Sequence, residues 1–154
     1  MSETSQGVVF DCVVYAQALI NAKGPAARCL ELARSRTIRL FWSDYVLAEI
    51  RGLPEKLPAR FMVRSDAVEA FIQDTNTFAS TISNVPHVYE NPFDRDDSHY
   101  LDLAVSAGAA LITSRDRHLL DLMDRSKIEG QDFTGRFPQL SIITPEQLLS
   151  RYQG

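Results

Sequence analysis

The chain has 154 residues, of which 45% are hydrophobic and 23% are charged. This length and composition exclude a disordered chain and predict a single domain over residues 1–154, with its core at about 7–149. The formal net charge is −4, because 20 acidic residues outnumber 16 Lys and Arg. A protein that binds nucleic acid through a general positive charge is therefore excluded.

Two features of the sequence predict a cytoplasmic protein with no membrane partner. No apolar run approaches the roughly 18 residues of a transmembrane helix, and the N-terminal letters MSETSQG lack the basic and apolar regions of a secretory signal. Cys12 and Cys29 lie in apolar helical patterns without the spacing of a zinc site or of a disulfide framework. We expect both to be small buried residues.

Short apolar segments alternate with helical patterns along the whole chain. Each apolar segment is too short for a helix and predicts a buried strand. Such alternation predicts right-handed crossovers and a parallel sheet covered on both faces. The predicted fold class is α/β, a three-layer α/β/α sandwich with a mainly parallel central sheet. The predicted strands lie at 8–10, 38–42, 85–89, 109–113 and 140–143.

Capping residues predict where several helices begin and end. Ser43 is the predicted N-cap after the second strand, and Ser65 with Asp66 is predicted to cap a helix whose apolar period continues to Ile82. Gly108 is predicted to end a helix that starts near Asp97. A capping box with proline at the first helical position begins the last helix, at 144–147. The helical patterns lie at 14–21, 26–34, 45–50, 66–82, 97–107, 116–123 and from 145 onward, and 125–138 is the least predictable stretch.

Acidic residues stand where strands end. Asp11 directly follows the first strand, Glu49 lies on the helix after the second, Asp97 begins the helix before the fourth, and Asp116 comes three residues after that strand. Ligand sites of open α/β sheets lie at the carboxyl ends of the strands. Four carboxylates there would repel one another unless a cation is bound, and Mg²⁺ or Mn²⁺ prefers such oxygen ligands. The pattern therefore indicates a site for metal-assisted phosphodiester hydrolysis.

Each acid also has a structural interpretation. Asp97 and Asp116 could be helix caps, and Glu49 could be a solvated residue on a helix surface. Asp11 is harder to explain this way, because an acid next to a buried strand is uncommon without a partner. Asp102 lies about 140° around an ideal helix from Asp97, so we expect it to face elsewhere.

Four segments, with the letters VVFD, SDYVLAEI, DSHYLDLA and LITSRD, occur at 8–11, 43–50, 97–104 and 111–116. Together with 142–149 they resemble the PIN-domain family, in particular small single-domain PIN proteins that are toxins of toxin-antitoxin systems. The resemblance covers about 7–149. One departure lies at Cys12 and Val13, where relatives usually have Thr or Ser followed by Asn.

The resemblance implies a ribonuclease with bound Mg²⁺ or Mn²⁺ as its cofactor. Hydroxyl groups near the metal fall on Thr113 and Ser114. The implied partners are an RNA substrate, a cognate antitoxin protein and a second copy of the chain in a homodimer. The acidic quartet of the family falls on the four residues already singled out, Asp11, Glu49, Asp97 and Asp116.

Two function classes stay open at this point. The first is a metal-dependent endoribonuclease, the toxin of a toxin-antitoxin pair. The alternative is a PIN-fold binding or interaction module with weak or no catalysis. A phosphatase or receiver-like protein lacks support, because no Gly-rich phosphate loop is present.

Basic residues flank the acidic positions and could contact substrate. Arg115 and Arg117, on either side of Asp116, are the predicted substrate contacts. A second basic stretch follows Glu49, and its favoured interpretation is a solvated helix face. It contains Arg51, Lys56, Arg60 and Arg64.

Overall fold

A parallel sheet of five strands lies at the centre of the fold, and all neighbouring strands run in the same direction. The computed structural model describes residues 5–153. The spatial order of the strands is β3-β2-β1-β4-β5. The strands are β1 Gly7–Phe10, β2 Arg39–Ser43, β3 Ala79–Ile82, β4 Leu111–Thr113 and β5 Ser141–Ile143.

Helices connect the strands and form the outer layers of an α/β/α fold, so the predicted fold class is confirmed. Among residues 5–153, no helix is long and apolar enough to cross a membrane. The single domain stays a prediction. The α-helices of the described chain are α1 Cys12–Ile20, α2 Pro25–Arg34, α3 Asp44–Arg51, α4 Leu53–Lys56, α5 Ser65–Asn76, α6 Ser98–Ala107, α7 Arg117–Leu120, α8 Ile128–Arg136 and α9 Pro145–Tyr152, and 3₁₀ turns lie at Ala59–Phe61, Arg95–Asp97 and Asp121–Met123.

The first strand is the centre of the sheet and brings Asp11 to its carboxyl edge. β1 pairs with β2 on one side and with β4 on the other, so Val8 and Val9 are completely buried. Phe10 lies opposite Thr113. The next residue, Asp11, donates its backbone N–H to the carbonyl of Thr113 at 3.1 Å. The ends of β1 and β4 therefore open on the same side, next to each other.

The third strand lies earlier in the chain than predicted. The predicted continuation of the preceding helix to Ile82 is wrong, because α5 ends at Asn76. The predicted strand at 85–89 is also wrong, because the strand that pairs with β2 is Ala79–Ile82. The apolar residues 78, 79 and 82 satisfy both a helical and an extended pattern, which explains the error. The segment 85–89 instead runs over the surface, where Asp102 accepts its backbone N–H groups.

Most of the predicted caps are present. The Ser43 hydroxyl accepts from the N–H of Val46 at 3.1 Å, Thr144 and Gln147 form the capping box, and Gly108 ends α6 with a left-handed φ of 66°. The predicted cap at Ser65 and Asp66 is wrong, because Ser65 is the first helical residue. Arg64 precedes it and makes no side-chain capping bond.

A helix occupies the stretch that showed no clear pattern. Phe133 of α8 is completely buried and packs against Tyr89 and Phe137, with ring centroids 5.4 Å from each. This aromatic contact stabilises α8 although its sequence contains two glycines. Cys29 is buried as predicted, whereas Cys12 is only partly buried.

Candidate active site

The acidic residues predicted at strand ends lie at one edge of the sheet. Asp11 is the N-cap of α1, and Asp116 is the N-cap of α7 just beyond β4. Asp97 precedes α6, and Glu49 lies in α3. Asp116 and Glu49 lie near enough to Asp11 to raise its pKa, and Asp116 and Asp11 do the same to Asp97. The topology therefore brings the four carboxylates close enough for their charges to affect one another's pKa values.

Asp97 and Asp116 also form a tighter group with two residues that the sequence did not single out as ligands. One potential ligand atom from each of Asp94, Asp97, Asp116 and His118 lies within 4.8 Å of the others. The backbone turns explain this, because Asp94 accepts from the N–H of Asp96 and Asp116 accepts from that of His118. Asp94 lies three residues before Asp97, and His118 lies two residues after Asp116. This close spacing to predicted ligands is the sequence signal that could have identified Asp94 and His118.

Asp11 is a buried carboxylate with two protein donors. It is only 3% exposed, and its Oδ1 accepts from the N–H of Val14 at 3.1 Å. Its Oδ2 accepts a hydrogen bond from the hydroxyl of Ser114. Burial raises the pKa of Asp11 to about 6, the two hydrogen bonds oppose that rise, and the charges of Asp116 and Glu49 add to it. Asp11 therefore needs a cation more than an exposed aspartate does.

Ser114 connects two of the acidic positions. Its hydroxyl donates to Asp11 and accepts from the backbone N–H of Asp116 at 2.9 Å. The structure thus places one of the two predicted hydroxyls directly between two predicted metal ligands. Thr113, the other, has a buried hydroxyl without a hydrogen-bond partner among residues 5–153, and its carbonyl holds the backbone of Asp11.

Glu49 is held in its ionised form. The Tyr100 hydroxyl donates to Glu49 Oε1 at 2.5 Å, and His99 Nε2 lies 3.2 Å from the same oxygen. Burial alone would raise the pKa of Glu49, but His99, Tyr100 and the charge of Lys56 bring it below its ordinary value. Tyr100 also accepts from the N–H of Cys12 at 2.9 Å, so one hydroxyl connects Glu49 to the start of α1.

Asp97 has the opposite character. Burial, contact with Asp116 and the charges of Asp94 and Asp11 raise its pKa to about 8. Its Oδ2 atom is buried without a hydrogen-bond partner in the described part of the chain. A carboxyl group in this state is paired with a proton at neutral pH, or with a cation where one binds.

The two predicted substrate arginines lie in different environments. Arg115 turns toward α1 and α9, where its guanidinium donates to Gln17 at 2.6 Å and to both carboxylate oxygens of Glu146 at 2.9 and 2.5 Å. Arg117 is exposed beside Asp116 and has no ion pair within residues 5–153. The structure therefore leaves Arg117 free to contact a phosphate and holds Arg115 elsewhere.

A lysine of the second basic stretch lies within electrostatic range of the site. The positive charge of Lys56 contributes to the lowered pKa of Glu49 and opposes the rise in the pKa of Cys12. Arg51 and Arg64, in contrast, pair with Glu69 and Asp66 at the surface. Lys56 is exposed like these arginines, so the predicted solvated face fits the residues of this stretch.

The donor set fits a divalent cation. Oxygen ligands dominate, and one carboxylate oxygen is buried without a donor among residues 5–153. Burial, with a further contribution from neighbouring negative charges, raises the pKa values of two carboxyl groups. An ion of charge +2 would remove that repulsion. Asp94, Asp97, Asp116 and His118 would hold it, and Asp11, which Ser114 connects to Asp116, is a further candidate ligand.

The parallel α/β fold, with an acidic cluster at the carboxyl edge of its sheet, is compatible with divalent-metal binding at that edge. A PIN domain family model matches residues 7–118, which is most of the chain, and the chain belongs to the PIN-domain family. PIN domains are generally metal-dependent nucleases. A search of curated proteins finds no match to the chain.

Proposed function

We propose that this chain is a Mg²⁺- or Mn²⁺-dependent endoribonuclease. The observation that carries the proposal is the convergence of Asp94, Asp97, Asp116 and His118 within 4.8 Å in a PIN-domain fold. The buried carboxylate of Asp11 is joined to this group through Ser114. Metal ions and RNA phosphates are the ligands that suit such a site.

The reaction is hydrolysis of an RNA phosphodiester, in which a water oxygen bonds to phosphorus and a ribose oxygen leaves. When bound, Mg²⁺ or Mn²⁺ activates the water and offsets the developing negative charge. Asp11, Glu49, Asp97 and Asp116 are the proposed ligands and catalytic residues, together with Asp94 and His118.

Neighbouring groups orient these residues. Ser114 fixes the carboxylate of Asp11, and Tyr100 fixes that of Glu49. Lys56 and Arg117 supply positive charge at the edge of an otherwise acidic site, where the substrate phosphates must approach. Local cations of this kind allow a chain with net charge −4 to bind a polyanion.

The biological role that we propose is the toxin of a toxin-antitoxin pair. It rests on the resemblance to small single-domain PIN toxins. The proposed partners are an RNA substrate, a cognate antitoxin protein and a second copy of the chain, and the cytoplasmic location stays a prediction.

An inactive PIN-fold binding module is the second candidate, and one observation favours it. Val13, in the first turn of α1, is 44% exposed and stands where relatives usually have Asn. An apolar side chain there provides no hydrogen bond to a metal ligand or to a substrate phosphate.

The test uses the purified full chain and a pool of end-labelled single-stranded RNA. We expect new fragments with Mn²⁺ or Mg²⁺ and none with EDTA. Cleavage that persists in EDTA would contradict the metal-dependent mechanism. An intact pool in the presence of metal would support the binding module instead.

A further inference from the structure

A cavity of about 220 Å³ lies beside the acidic site, because His99, one of its lining residues, lies 3.2 Å from Glu49. Its walls come from the start of α3, from the segment after β3 and from α6. Its lining includes Asp44, Tyr45, Asn84 and His99. None of these four was assigned a role in binding or holding the metal.

An aromatic platform forms part of the cavity wall. The ring of Tyr45 is stacked on the imidazole of His99, with centroids 4.4 Å apart and planes at 27°. His99 in turn lies against the ring of Tyr100, with centroids 3.9 Å apart. The stack covers one side of Tyr45, yet the residue is 64% exposed. Its remaining surface is an ordered aromatic ring in contact with solvent, which is the kind of surface that stacks nucleobases.

The platform is one helical turn from a proposed metal ligand. Tyr45 and Glu49 are four residues apart in α3 and so lie on the same side of that helix. His99 bridges the two, since it stacks on Tyr45 and its Nε2 lies 3.2 Å from Glu49 Oε1. A nucleotide whose phosphate reaches the acidic edge would have an adjacent base at Tyr45.

Polar groups near the platform suit one edge of a base. Asp44 and Asn84 are exposed, and within residues 5–153 neither side chain forms a hydrogen bond. Asn84 has a left-handed φ of 56°, which fixes the turn that carries it to the cavity. The carboxylate of Asp44 can only accept, so it suits the exocyclic amino group of cytosine or adenine and not the carbonyl that uracil presents at the corresponding position. The amide oxygen of Asn84 can accept from the same amino group.

We infer that Tyr45 and His99 form a stacking subsite for a base with an exocyclic amino group in single-stranded RNA, an inference that rests on the proposed nuclease function. Asp44 and Asn84 contact the edge of that base. The subsite sets which nucleotide lies next to the scissile phosphate.

The test measures binding of fluorescein-labelled rC8 and rU8 to the full chain by fluorescence anisotropy in EDTA, so that no cleavage occurs. Wild type should bind rC8 more tightly than rU8. Tyr45→Ala should weaken rC8 binding by about 5-fold to 150-fold, the range of one base stacked on an aromatic ring. Tyr45→Phe keeps the ring and should bind like wild type.

Phe61→Ala is the matched control, because Phe61 is a partly exposed aromatic that lines a different cavity. Equal affinities of Tyr45→Ala and wild type for rC8, or equal affinities of wild type for rC8 and rU8, would overturn the subsite. A separate cleavage assay in Mn²⁺ distinguishes the two proposals. If wild type cleaves RNA and Tyr45→Ala binds normally, only the subsite fails. If wild type shows the expected binding but cleaves nothing, only the nuclease function fails.

Discussion

The hydroxyl of Ser114 donates a hydrogen bond to the buried carboxylate of Asp11. The two residues are 103 positions apart in sequence and meet because β1 and β4 are neighbours in the sheet. The same hydroxyl accepts from the backbone of Asp116, so the contact joins two of the proposed ligands. The geometry of the site therefore depends on the pairing of these two strands.

Loss of one carboxylate charge should abolish catalysis without unfolding the chain. Asp11→Asn and Asp116→Asn should each remove Mn²⁺-dependent RNA cleavage, because each replaces a charged oxygen ligand by a neutral amide. Far-ultraviolet circular dichroism should stay unchanged. Asp96→Asn is the matched control, since Asp96 is exposed in the same turn as Asp97 and lies outside the cluster. Full activity of Asp11→Asn would contradict the mechanism.

Asp94 and His118 should contribute to metal affinity as well. Their ligand atoms lie within 4.8 Å of those of Asp97 and Asp116, so we expect Asp94→Asn and His118→Ala each to weaken Mn²⁺ binding by about 10-fold or more. Isothermal titration with Mn²⁺ measures this. His87→Ala removes an exposed imidazole outside the cluster and should bind Mn²⁺ like wild type. Unchanged affinity in both test variants would mean that the cation does not bind at this group.

The metal-free chain should lose stability as pH rises. Asp11 and Asp97 have an ordinary pKa of 3.8, and the fold raises these values to about 6 and about 8. The folded state therefore holds protons that the unfolded state releases, and its stability falls as pH rises from about 4 to about 8. In EDTA at pH 8.5, Asp97→Asn should melt at a higher temperature than wild type, and the difference should narrow at pH 5.

Addition of Mn²⁺ should reverse this loss in wild type. A cation that binds only the folded state contributes about 2.7 kcal/mol at a hundredfold excess over its Kd. Asp97→Asn should gain less, because it lacks one ligand. Equal Mn²⁺-induced shifts in the melting temperature of wild type and Asp97→Asn would show that Asp97 is not part of a metal site.

Asp102 should matter for stability rather than for catalysis. Its Oδ1 accepts from the N–H groups of Val88 and Tyr89 at 2.8 and 3.1 Å, and its Oδ2 lies 2.7 Å from His87 Nδ1. Asp102→Ala leaves these donors without their acceptor and should lower the free energy of unfolding by about 2–4 kcal/mol. Urea denaturation measures the loss. A change below about 0.5 kcal/mol would mean that the segment does not depend on this carboxylate.

The His87 contact adds a pH dependence to this region. Hydrogen bonding and the charge of Asp102 raise the pKa of His87 above 6.5. Its stabilising effect is complete below that ordinary value and is lost as pH rises through the raised one. His87→Ala should therefore reduce stability at pH 6 and have little effect at pH 9, as measured by the same denaturation.

The sequence predicts those parts of the fold whose signals are local. β1, β2, β4 and β5 are short apolar runs with distinct boundaries, and Ser43, Gly108 and Thr144 mark helix ends by capping chemistry. The predicted orientation of Asp102 away from the acidic edge is also confirmed by its contacts with 87–89.

The sequence-based predictions were wrong or missing for elements that depend on contacts between distant residues. β3 exists because Ala79–Ile82 pairs with β2, and α8 because Phe133 is buried among aromatic rings. His118 is a similar case, because it belongs to the acidic group only through contacts with distant residues. Asp94, which precedes it by 24 positions, is brought close to it by the 3₁₀ turn before α6. Neither periodicity nor composition records such a contact.

The family match ends at residue 118, yet the last strand supports the site from outside that range. β5 pairs with β4, and the carbonyl of Ile143 accepts from the backbone N–H of Ser114 at 2.9 Å. Arg115, the next residue, is held by Glu146 of α9. A chain shortened to the matched region would retain every proposed metal ligand but would leave β4 as an edge strand with an unpaired backbone at Ser114. The carboxyl-terminal 35 residues that the structure describes, 119–153, therefore support the strand that positions the proposed metal ligands and contain none of those ligands.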